Sequence, residues 1–377
     1  MPAVRSVLVV GSGVAGMATA ILLAEQNIAV DVVEIKPDVT ALGSGITLQG
    51  NALRVLQQLG VWEEALAAGF PFDTLGLRAP DTAGTLLVEL QDVRTGGPDI
   101  PATMGMYRPT LARILVERAS AVGVKMRFGT TATSLDQDSH GVDVGFADGS
   151  TGRYDLVVGA DGVRSWTRRA LGIQLDTQST GMGIWRAFTR RPDDVQRTDL
   201  FYGGPSYIAG YCPTSTNTLY AYIVESAQDR SRLRPAEQLA VMRELAAAYH
   251  GPWDAIRASL TDPATVNYTW FETHLLPRPW NRGRVVLIGD AVHVCPPTLA
   301  QGAALALEDA AVLAELLLQH GSISDPVWDE LMDRRFERCA TVVAGSLQLG
   351  QWMLDHDPAA DVPGLMAGIA HLLCEPA

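Results

Sequence analysis

A glycine-rich turn near the start of the chain, G-S-G-V-A-G from Gly11 to Gly16, has the residue types and spacing that bind the phosphates of a dinucleotide. Gly11 permits a tight turn, Gly13 lets a pyrophosphate approach the backbone, and Gly16 lets a helix pack closely against the preceding strand. The amides that open this helix, from Val14 and Ala15 onward, would direct its positive end toward the phosphates. The spacing therefore predicts a dinucleotide site.

An acid closes the second predicted strand of the same region. Glu34 follows the glycine turn by about 20 residues, the separation at which a carboxylate accepts hydrogen bonds from a ribose. The predicted nucleotide site includes Glu34 and the two residues after it, Ile35 and Lys36. A glycine-rich turn without a ligand is the alternative, which the strand and helix around the turn disfavour.

A second acid-and-glycine turn, Asp161-Gly162, follows an apolar strand predicted over residues 155–158. We expect the carboxylate of Asp161 to order the phosphate-binding loop through hydrogen bonds. Taken alone, Asp-Gly is commonly just a turn. The element gains weight only from its combination with the first.

The segment G-D-A-V-H-V-C-P-P-T-L-A-Q-G, residues 289–302, is the third element, and it follows another apolar run. Gly289 and Asp290 stand where a strand ends, so Asp290 is placed to bind a polyol hydroxyl. Pro297 stiffens the approach to a helix. The opening amides of that helix could face a ring that becomes anionic on reduction. They belong to Ala300, Gln301, Gly302 and Ala303.

Regular elements must position these turns. Residues 7–10, 15–26 and 30–34 predict a strand, a helix and a strand, which together form a βαβ unit. Helices are predicted over residues 51–59 and 110–121, each followed by glycine. The segments 142–146 and 153–158 flank an Asp-Gly turn and predict a hairpin.

From residue 181 to 271 the sequence predicts alternating strands rich in aromatic residues, interrupted by one helix over residues 235–249. Tyr220 and Tyr222 share a face of their strand because side chains alternate with a period of two. With Arg186 and Tyr207 they are the candidates for a substrate pocket, although sheets favour aromatic residues in any case. No histidine occurs in residues 181–249, so a histidine base would have to come from elsewhere, for example His250 or His274.

Composition limits the class of protein. The 377 residues are 47% hydrophobic, which is ample for one large domain or two intimate ones. A net charge of −13 makes nucleic acid and anionic membranes unlikely partners. The four cysteines contain no Cys-x-x-Cys pair, so we expect no metal site and no disulfide framework, and a cytoplasmic location. The apolar stretch 7–23 contains three glycines and is not predicted to span a membrane.

In this order and spacing the three elements resemble class A flavoprotein monooxygenases, the para-hydroxybenzoate hydroxylase-like family, and most of all its salicylate, 3-hydroxybenzoate and urate hydroxylases. The resemblance covers nearly the whole chain and includes the segment Y-R-P-T-L from Tyr107 to Leu111. It implies that Arg108 touches FAD and that the backbone near Ala132 contacts the adenine. It also implies that Asp290 binds the ribitol. The residues implied to line the isoalloxazine are Gly45, Ile46, Thr47, Pro297, Ala300, Gly302 and Ala303.

The chain departs from the family in two places. Many relatives carry an arginine shortly before the Gly-x-Gly-Ile turn, where this chain has V-T-A-L at residues 39–42. That puts in doubt how the flavin would move between positions. Val294 and Cys295 stand where relatives often have Pro-Met. Cys295 is expected to be a packed, inert thiol.

The family chemistry implied by the resemblance is hydroxylation of an electron-rich aromatic ring by a flavin C4a-hydroperoxide formed from FAD, NAD(P)H and O2. The sequence has no second dinucleotide fingerprint, which fits transient docking of NADH or NADPH. A flavin-dependent reductase or dehydrogenase without oxygen insertion remains open, as does a non-catalytic flavin-binding protein. A halogenase is disfavoured, because neither Lys36 nor Lys125, the only lysines, suits that chemistry and the Trp-x-Trp-x-Ile-Pro segment is absent.

The predicted fold is α/β: a Rossmann-type FAD-binding domain with an inserted, mostly antiparallel β-sheet substrate domain and C-terminal helices. The FAD-binding domain would comprise residues 1–71, 105–173 and 276–325. Residues 72–104 and 174–275 would form the substrate domain, and residues 326–377 the helices. The expected partners are a small aromatic substrate, O2 and NAD(P)H, in a monomer or homodimer.

Overall fold

The structure is a computed structural model that describes residues 2–38 and 45–377. The elements up to residue 170 are β1 (Ser6–Val10), α1 (Val14–Ala24), β2 (Ala29–Glu34), β3 (Gly45–Gln49), α2 (Gly50–Gln58), α3 (Trp62–Ala68), β4 (Phe70–Phe72), β5 (Thr74–Arg78), β6 (Leu86–Gln91), β7 (Thr103–Tyr107), α4 (Arg108–Ala121), β8 (Lys125–Phe128), β9 (Ala132–Gln137), β10 (Val142–Phe146), β11 (Thr151–Tyr154), β12 (Leu156–Gly159) and α5 (Trp166–Ala170).

The second half of the chain forms the remaining elements. They are β13 (Gln178–Arg190), β14 (Thr198–Phe201), β15 (Ile208–Pro213), β16 (Thr218–Ser226), α6 (Pro235–Ala246), α7 (Pro252–Ser259), β17 (Val266–Leu275), β18 (Asn281–Arg282), β19 (Val285–Leu287), β20 (His293–Val294), α8 (Gly302–Gln319), α9 (Asp325–Asp355) and α10 (Val362–Cys374).

A six-stranded sheet with the order β18-β19-β12-β1-β2-β8 holds the cofactor motifs. Its inner strands pair in parallel, β1 with both β2 and β12, and β12 with β19. Strands buried on both faces are expected to be apolar, as are β12, β19 and the part of β1 after Ser6. The carboxyl ends of these parallel strands lie at one edge of the sheet, so the turns after β1, β2, β12 and β19 meet there.

An eight-stranded sheet with the order β20-β17-β13-β16-β15-β14-β5-β6 contains the aromatic-rich segment. Its pairings are antiparallel except for β5 with β14. One face packs on α6 and α7 through a buried core that includes Trp185, Tyr211 and Trp253. The opposite face lies toward a small sheet, β3-β7-β4, through contacts of β16 with β3 and of β15 with β7. The observed architecture confirms the predicted α/β fold class with an inserted, mostly antiparallel sheet.

Two predictions of local structure were wrong. The predicted hairpin partner 153–158 is divided between β11, which pairs with β10, and β12, which enters the six-stranded sheet. The single helix predicted over residues 235–249 ends at Ala246, and α7 follows after Gly251, whose φ is +69°. Local periodicity cannot show that a run of alternating residues changes sheets, because that change depends on distant pairing partners.

Among the described residues, none of the helices combines the length and the apolar character needed to cross a membrane. The long helix α9 instead packs against α8, and it also contacts β13, β17 and β20. It therefore packs between α8 and one end of the eight-stranded sheet, and it also contacts the short helical turn at residues 297–299.

Candidate functional site

The glycine turn between β1 and α1 is closed on the protein side and open on the other. An added Cβ would lie 2.5 Å from the Ala160 carbonyl oxygen at Gly11, and 2.1 Å from the Gly11 oxygen at Gly16. At Gly13 an added Cβ would have nothing within 4 Å. The turn therefore needs glycine at Gly11 and Gly16 for packing, and it leaves space beside Gly13 for a ligand.

Helix α1 begins at Val14 with its first amides uncapped by any described side chain, and its first turn carries no acid. The first amides of a helix have no intrahelical acceptor, so those of Val14, Ala15 and Gly16 are available to an external anion. These residues border the open space beside Gly13. The arrangement matches a phosphate-binding turn.

Glu34, at the end of β2, is tied to this turn. Its carboxylate accepts hydrogen bonds from the amide and hydroxyl of Ser12, both at 2.9 Å, and from the Lys36 amide at 3.0 Å. The sequence analysis did not identify Ser12, although it lies within the glycine fingerprint. The Ile35 side chain is 69% exposed beside it.

The start of β9 lies next to Glu34. The amides of Gly129 and Thr130 donate hydrogen bonds to the carbonyls of Lys36 and Glu34, at 2.9 and 3.1 Å. Ala132 is buried in the core with Val10 and Val33. The structure thus brings the backbone near Ala132 to the predicted ribose end of the site.

Asp161 follows β12 and lies close to the glycine turn, since an added Cβ at Gly11 would be 3.0 Å from the Asp161 Cα. Its carboxylate accepts hydrogen bonds from the Thr167 amide at 2.8 Å and from the hydroxyls of Ser165 and Thr167. The predicted hydrogen bonds to the phosphate loop were wrong. The acid instead holds the start of α5 beneath the loop, because the chain turns back toward it within six residues.

The turn after β19 contacts the glycine turn directly. At Gly289, whose φ is +61°, an added Cβ would lie 3.0 Å from the Ala15 Cβ and 3.4 Å from the Ala306 Cβ. The adjacent Asp290 side chain is accessible to solvent. Burial nevertheless raises the pKa of Asp290, although His293 and Arg108 act in the opposite direction. The Asp290 carboxylate is thus accessible to solvent and also surrounded by many protein atoms. We infer that it lies within a cleft.

The segment after β20 forms a short helical turn, Pro297–Leu299, and then reverses at Ala300, whose φ is +53°. This left-handed conformation is uncommon for residues other than glycine and is typical of functional sites. Gln301 is buried, and α8 begins at Gly302 with no described side chain capping it and no acid in its first turn. The amides of Gly302 and Ala303 are therefore available to an electron-rich group.

Strand β3 supplies the opposite wall of this cleft. Gly45 pairs with Tyr107, which directly precedes Arg108. Burial and Arg186 lower the pKa of Arg108, whereas Asp290 and Tyr220 raise it, so all three groups lie within its electrostatic reach. Ile46 is buried next to Gly45, and the Thr47 hydroxyl is 3.6 Å from the Cys212 sulfur. The predicted flavin wall and the eight-stranded sheet therefore meet here.

The substrate candidates divide into a group of three and an outlier. The rings of Tyr220 and Tyr222 are 5.0 Å apart, and Arg186 donates a hydrogen bond to Thr269 on the same face. An added Cβ at Gly45 would lie 2.5 Å from the Tyr220 Cβ, so this tyrosine touches the wall of the cleft.

Tyr207 packs against the same apolar cluster as Tyr222, but its polar and ring contacts are different. Its hydroxyl is 2.9 Å from the Ser226 hydroxyl, and its ring is 5.9 Å from that of His356, at the end of α9. Its contacts place it at the rim of the sheet face.

The two histidines considered as bases differ in position. His274 bridges Thr177, at 2.8 Å, and the Asp290 carbonyl, at 3.0 Å, and burial lowers its pKa to about 4. It is therefore neutral near neutral pH and supports the turn at Asp290. His250 pairs with Asp254 at the start of α7, on the opposite face of the sheet.

Cys295 is partly buried, and burial raises its pKa to about 12, which fits the expected inert thiol. The other family departure, at residues 39–42, lies outside the described residues.

Comparisons with known proteins agree with this geometry. A family model described as "FAD binding domain" matches residues 5–345. The 2-heptyl-3-hydroxy-4(1H)-quinolone synthase of Pseudomonas aeruginosa is 30% identical over 82% of this chain and 80% of its own. The 6-hydroxynicotinate 3-monooxygenase of Bordetella bronchiseptica is 28% identical over 89% of each chain.

Solved structures show the same fold. The tetrameric form of 2-methyl-3-hydroxypyridine-5-carboxylic acid oxygenase superposes with a TM-score of 0.80, at 26% identity over 97% of this chain and 96% of its own. Klebsiella pneumoniae HpxO, complexed with FAD and uric acid, superposes with a TM-score of 0.82, at 22% identity over 98% of this chain and 92% of its own. The chain therefore belongs to the FAD-binding domain family and is an FAD-dependent monooxygenase of the class A flavoprotein type.

Proposed function

We propose that this enzyme hydroxylates an aromatic or heteroaromatic small molecule, using O2 and electrons from NADH or NADPH. The observation that carries the proposal is the meeting of two surfaces. The turn from Asp290 to Ala303, with its free helix amides, faces a sheet face that carries Arg186 and Tyr220 across one cleft. A cofactor ring held by the first surface would lie against a substrate held by the second.

The residues fit FAD at both ends. Space beside Gly13, the free amides of α1 and the Glu34 carboxylate suit the diphosphate and ribose. We propose that Asp290 and Arg108 hold the ribityl region, and that Gly45, Ile46 and Thr47 line the isoalloxazine. The remaining contacts proposed for FAD are Gly11, Val14, Ala15, Gly16, Ile35, Lys36, Ala132, Asp161, Gly289, Pro297, Ala300, Gln301, Gly302 and Ala303.

FAD held by these residues would supply the redox chemistry that links NAD(P)H and O2. The protein contributes position and electrostatics. The positive end of α8, at Gly302 and Ala303, would stabilise negative charge on the reduced ring. Pro297 would restrict the ring on one side and Gly45 on the other.

For the substrate we propose a ring that contacts Arg186, Tyr220 and Tyr222, with Tyr207 at the outer rim. The names of two relatives contain nitrogen heterocycles: one is a 6-hydroxynicotinate 3-monooxygenase and the other a 2-heptyl-3-hydroxy-4(1H)-quinolone synthase. Arg186 makes no ion pair with any described residue, so its charge is available to a carboxylate or an oxygen on the ring. Burial raises the pKa of Tyr220, partly offset by Arg186, so its phenol is neutral at neutral pH.

The proposed organisation follows the sequence. Residues 1–71, 105–173 and 276–325 would act as the FAD-binding domain, residues 72–104 and 174–275 as the substrate domain, and residues 326–377 as closing helices. NAD(P)H would dock transiently. The proposed assembly is a monomer or homodimer in the cytoplasm, without nucleic-acid or membrane partners. The four free cysteines support a reducing compartment.

The test is oxygen incorporation. FAD-loaded protein is incubated with NADH or NADPH, isotopically labelled O2 and a panel of phenols, hydroxypyridines and quinolones. We expect at least one ring compound to accelerate NAD(P)H oxidation and to gain one labelled oxygen atom. Oxidation that yields only peroxide with every compound would indicate a reductase. No oxidation with any compound would indicate a flavin-binding protein.

A further inference from the structure

A cluster of buried charges lies next to the segment 289–301, which is proposed to face the flavin. The charged residues themselves are not among those proposed to contact FAD. Glu308 and Asp309 are consecutive residues of α8, and Arg335 and Arg338 lie on the facing side of α9. Each is at most 6% exposed. Charged groups are rarely buried so completely unless they are paired, and these four pair with one another.

Asp309 holds the first end of the turn. One carboxylate oxygen accepts hydrogen bonds from the Gly289 amide at 2.9 Å and from His293 Nε2 at 2.7 Å. The other oxygen accepts from Arg335 Nε at 2.7 Å. Burial raises the pKa of Asp309, but His293 and Arg335 lower it to about 2, so the group is ionised at neutral pH.

Glu308 holds the other end through an intermediate amide. One oxygen accepts a hydrogen bond from Asn51 Nδ2 at 3.0 Å, and the same amide nitrogen donates to Gln301 Oε1 at 3.1 Å. Arg335 and Arg338 donate to the second Glu308 oxygen, both at 2.9 Å. Two neighbouring acids on one helix thus fix residues 289 and 301, the two ends of the turn.

A metal ion is a less suitable explanation for this cluster. Ligand atoms of His293, Asp309 and Cys339 lie within 4.8 Å of one another. The Arg335 guanidinium already donates a hydrogen bond to the Asp309 carboxylate, and its Nη2 lies 3.4 Å from the Cys339 sulfur. Its positive charge would repel a cation there.

Stability alone does not account for the cluster either. Replacing a buried ion pair with well-packed apolar residues is often neutral or stabilising, because the desolvation of both charges is expensive. Directional hydrogen bonds, however, fix atoms in a way that apolar contacts do not. The atoms fixed here belong to the segment that contains Asp290, Pro297 and the left-handed Ala300.

We propose that Glu308 and Asp309 are positioning residues for the flavin, which act by holding both ends of the segment 289–301 against the cofactor. The inference rests on the proposed FAD site. It concerns cofactor geometry and not the identity of the substrate. Oxygen insertion can therefore fail while this proposal holds, and the reverse is also true.

The test compares Asp309→Asn with a matched control, Asp199→Asn. Asp199 is also a buried acid, and it accepts hydrogen bonds from Arg78 and Tyr211, both at 2.6 Å, within the eight-stranded sheet. Apoprotein of each variant is titrated with FAD, and its thermal unfolding is followed without the cofactor. The reduction potential of the bound flavin is measured in parallel.

We expect Asp309→Asn to raise the FAD dissociation constant about tenfold or more, as expected for loss of a charge-assisted hydrogen bond. If the substitution weakens the binding of oxidised and reduced FAD by factors that differ tenfold, the two-electron reduction potential should shift by about 30 mV. Asp199→Asn should lower the unfolding temperature but leave FAD affinity and potential unchanged. Equal FAD affinity and potential in wild type and Asp309→Asn would overturn the proposal, as would equal losses in both variants.

Glu308→Gln is a second variant in case Asp309→Asn does not fold. It keeps the length of the side chain and one acceptor for Asn51, while removing the charge that faces Arg335 and Arg338. We expect weaker FAD binding and a shifted potential here too. A folded Glu308→Gln protein with wild-type affinity and potential would contradict the role of the acid pair.

Discussion

The nucleotide end of the cleft and the substrate face of the eight-stranded sheet are built in different ways. The nucleotide end consists mainly of backbone: the glycine turn, the first amides of α1 and an acid bonded to Ser12. These parts lie within residues 11–34. The sheet face consists of side chains, and it exists only because β13, β16 and β17 pair across long stretches of chain.

The difference teaches where each kind of specificity is encoded. Backbone groups recognise what all dinucleotides share, so a local motif is enough to bind them. Side chains on a sheet distinguish one ring from another, and distant strand pairing decides which side chains come together. The sheet face meets the wall of the cofactor cleft where Gly45 of β3 lies against Tyr220. Substitutions in the cofactor site should therefore weaken FAD binding, and substitutions on the sheet face should lower substrate turnover without affecting FAD binding.

The largest expected effect separates FAD binding from folding at Gly13. Its φ of −67° suits any residue, and an added Cβ meets no protein atom within 4 Å. Gly13→Ala should fold normally but weaken FAD binding about 100-fold, because the methyl group occupies the space of the pyrophosphate. Titration of the apoprotein with FAD measures the effect. Gly368→Ala, at another open glycine, in α10, is the control and should bind FAD normally. Equal affinities would place the phosphates elsewhere.

The second prediction concerns the sheet face alone. Arg186→Gln should lower kcat/KM about 10-fold to 100-fold, because a charge-assisted contact with the ring is lost. The FAD dissociation constant should stay the same. Arg190→Gln, at the exposed end of the same strand, is the control and should retain wild-type kinetics. If Arg186→Gln lost FAD affinity and kept its kinetics, Arg186 would belong to the cofactor side.

The third prediction is that replacing Asp290 stabilises the apoprotein but weakens FAD binding. Burial raises its folded pKa, so its ionised form destabilises the apoprotein above the unfolded pKa of about 3.9. Asp290→Asn should therefore raise the unfolding temperature of the apoprotein at neutral pH, and the gain should disappear as the pH falls below that value. FAD binding should weaken about tenfold, since the hydroxyls lose an ionised acceptor. An unchanged FAD affinity would remove Asp290 from the site.

The smallest effect is expected at His250, which lies on the face of the sheet away from the cleft. His250→Gln should change kcat/KM by less than about twofold, because His250 contacts Asp254 of α7 and lies away from the proposed reaction site. The pH–rate profile should also lack an ionisation of His274 near its usual pKa, because that group titrates at about 4. The prediction would be contradicted if the pH–rate profile between about pH 5 and 8 differed between His250→Gln and wild type. Such a difference would mean that His250 acts as a base in the reaction.

The sequence predicted the local parts of this site well. The βαβ unit and the glycine turn occupy the expected positions, because each depends on residues close together in the chain. The helix after Gly289 was also predicted, but it begins at Gly302 and not at Ala300. The Ala300 amide instead donates a hydrogen bond to the Pro297 carbonyl, at 3.1 Å. The prediction for Asp161 identified a carboxylate beside the loop and gave it the wrong partners. A short acidic side chain bonds whatever amides the following turn presents, and that turn was not predictable from the motif.

The non-local parts were harder to predict. Residues 153–158 alternate like one strand, yet β11 and β12 belong to different sheets. Tyr207 was grouped with Tyr220 by its type, although it lies just before β15 and contacts Ser226 and His356. One available signal was overlooked: the adjacent acids Glu308 and Asp309 interrupt the otherwise apolar run of residues 302–314, which indicates buried partners.

The most direct test of the account is a structure of the protein with FAD bound. We expect the pyrophosphate at Gly13 and the isoalloxazine between the turn at Pro297 and the wall formed by Gly45 and Tyr220. In that position the ring would face Arg186 and the amides of α8. A flavin ring outside this cleft that contacts neither Tyr220 nor Arg186 would contradict the claim that the cofactor site and the sheet face enclose one reaction site.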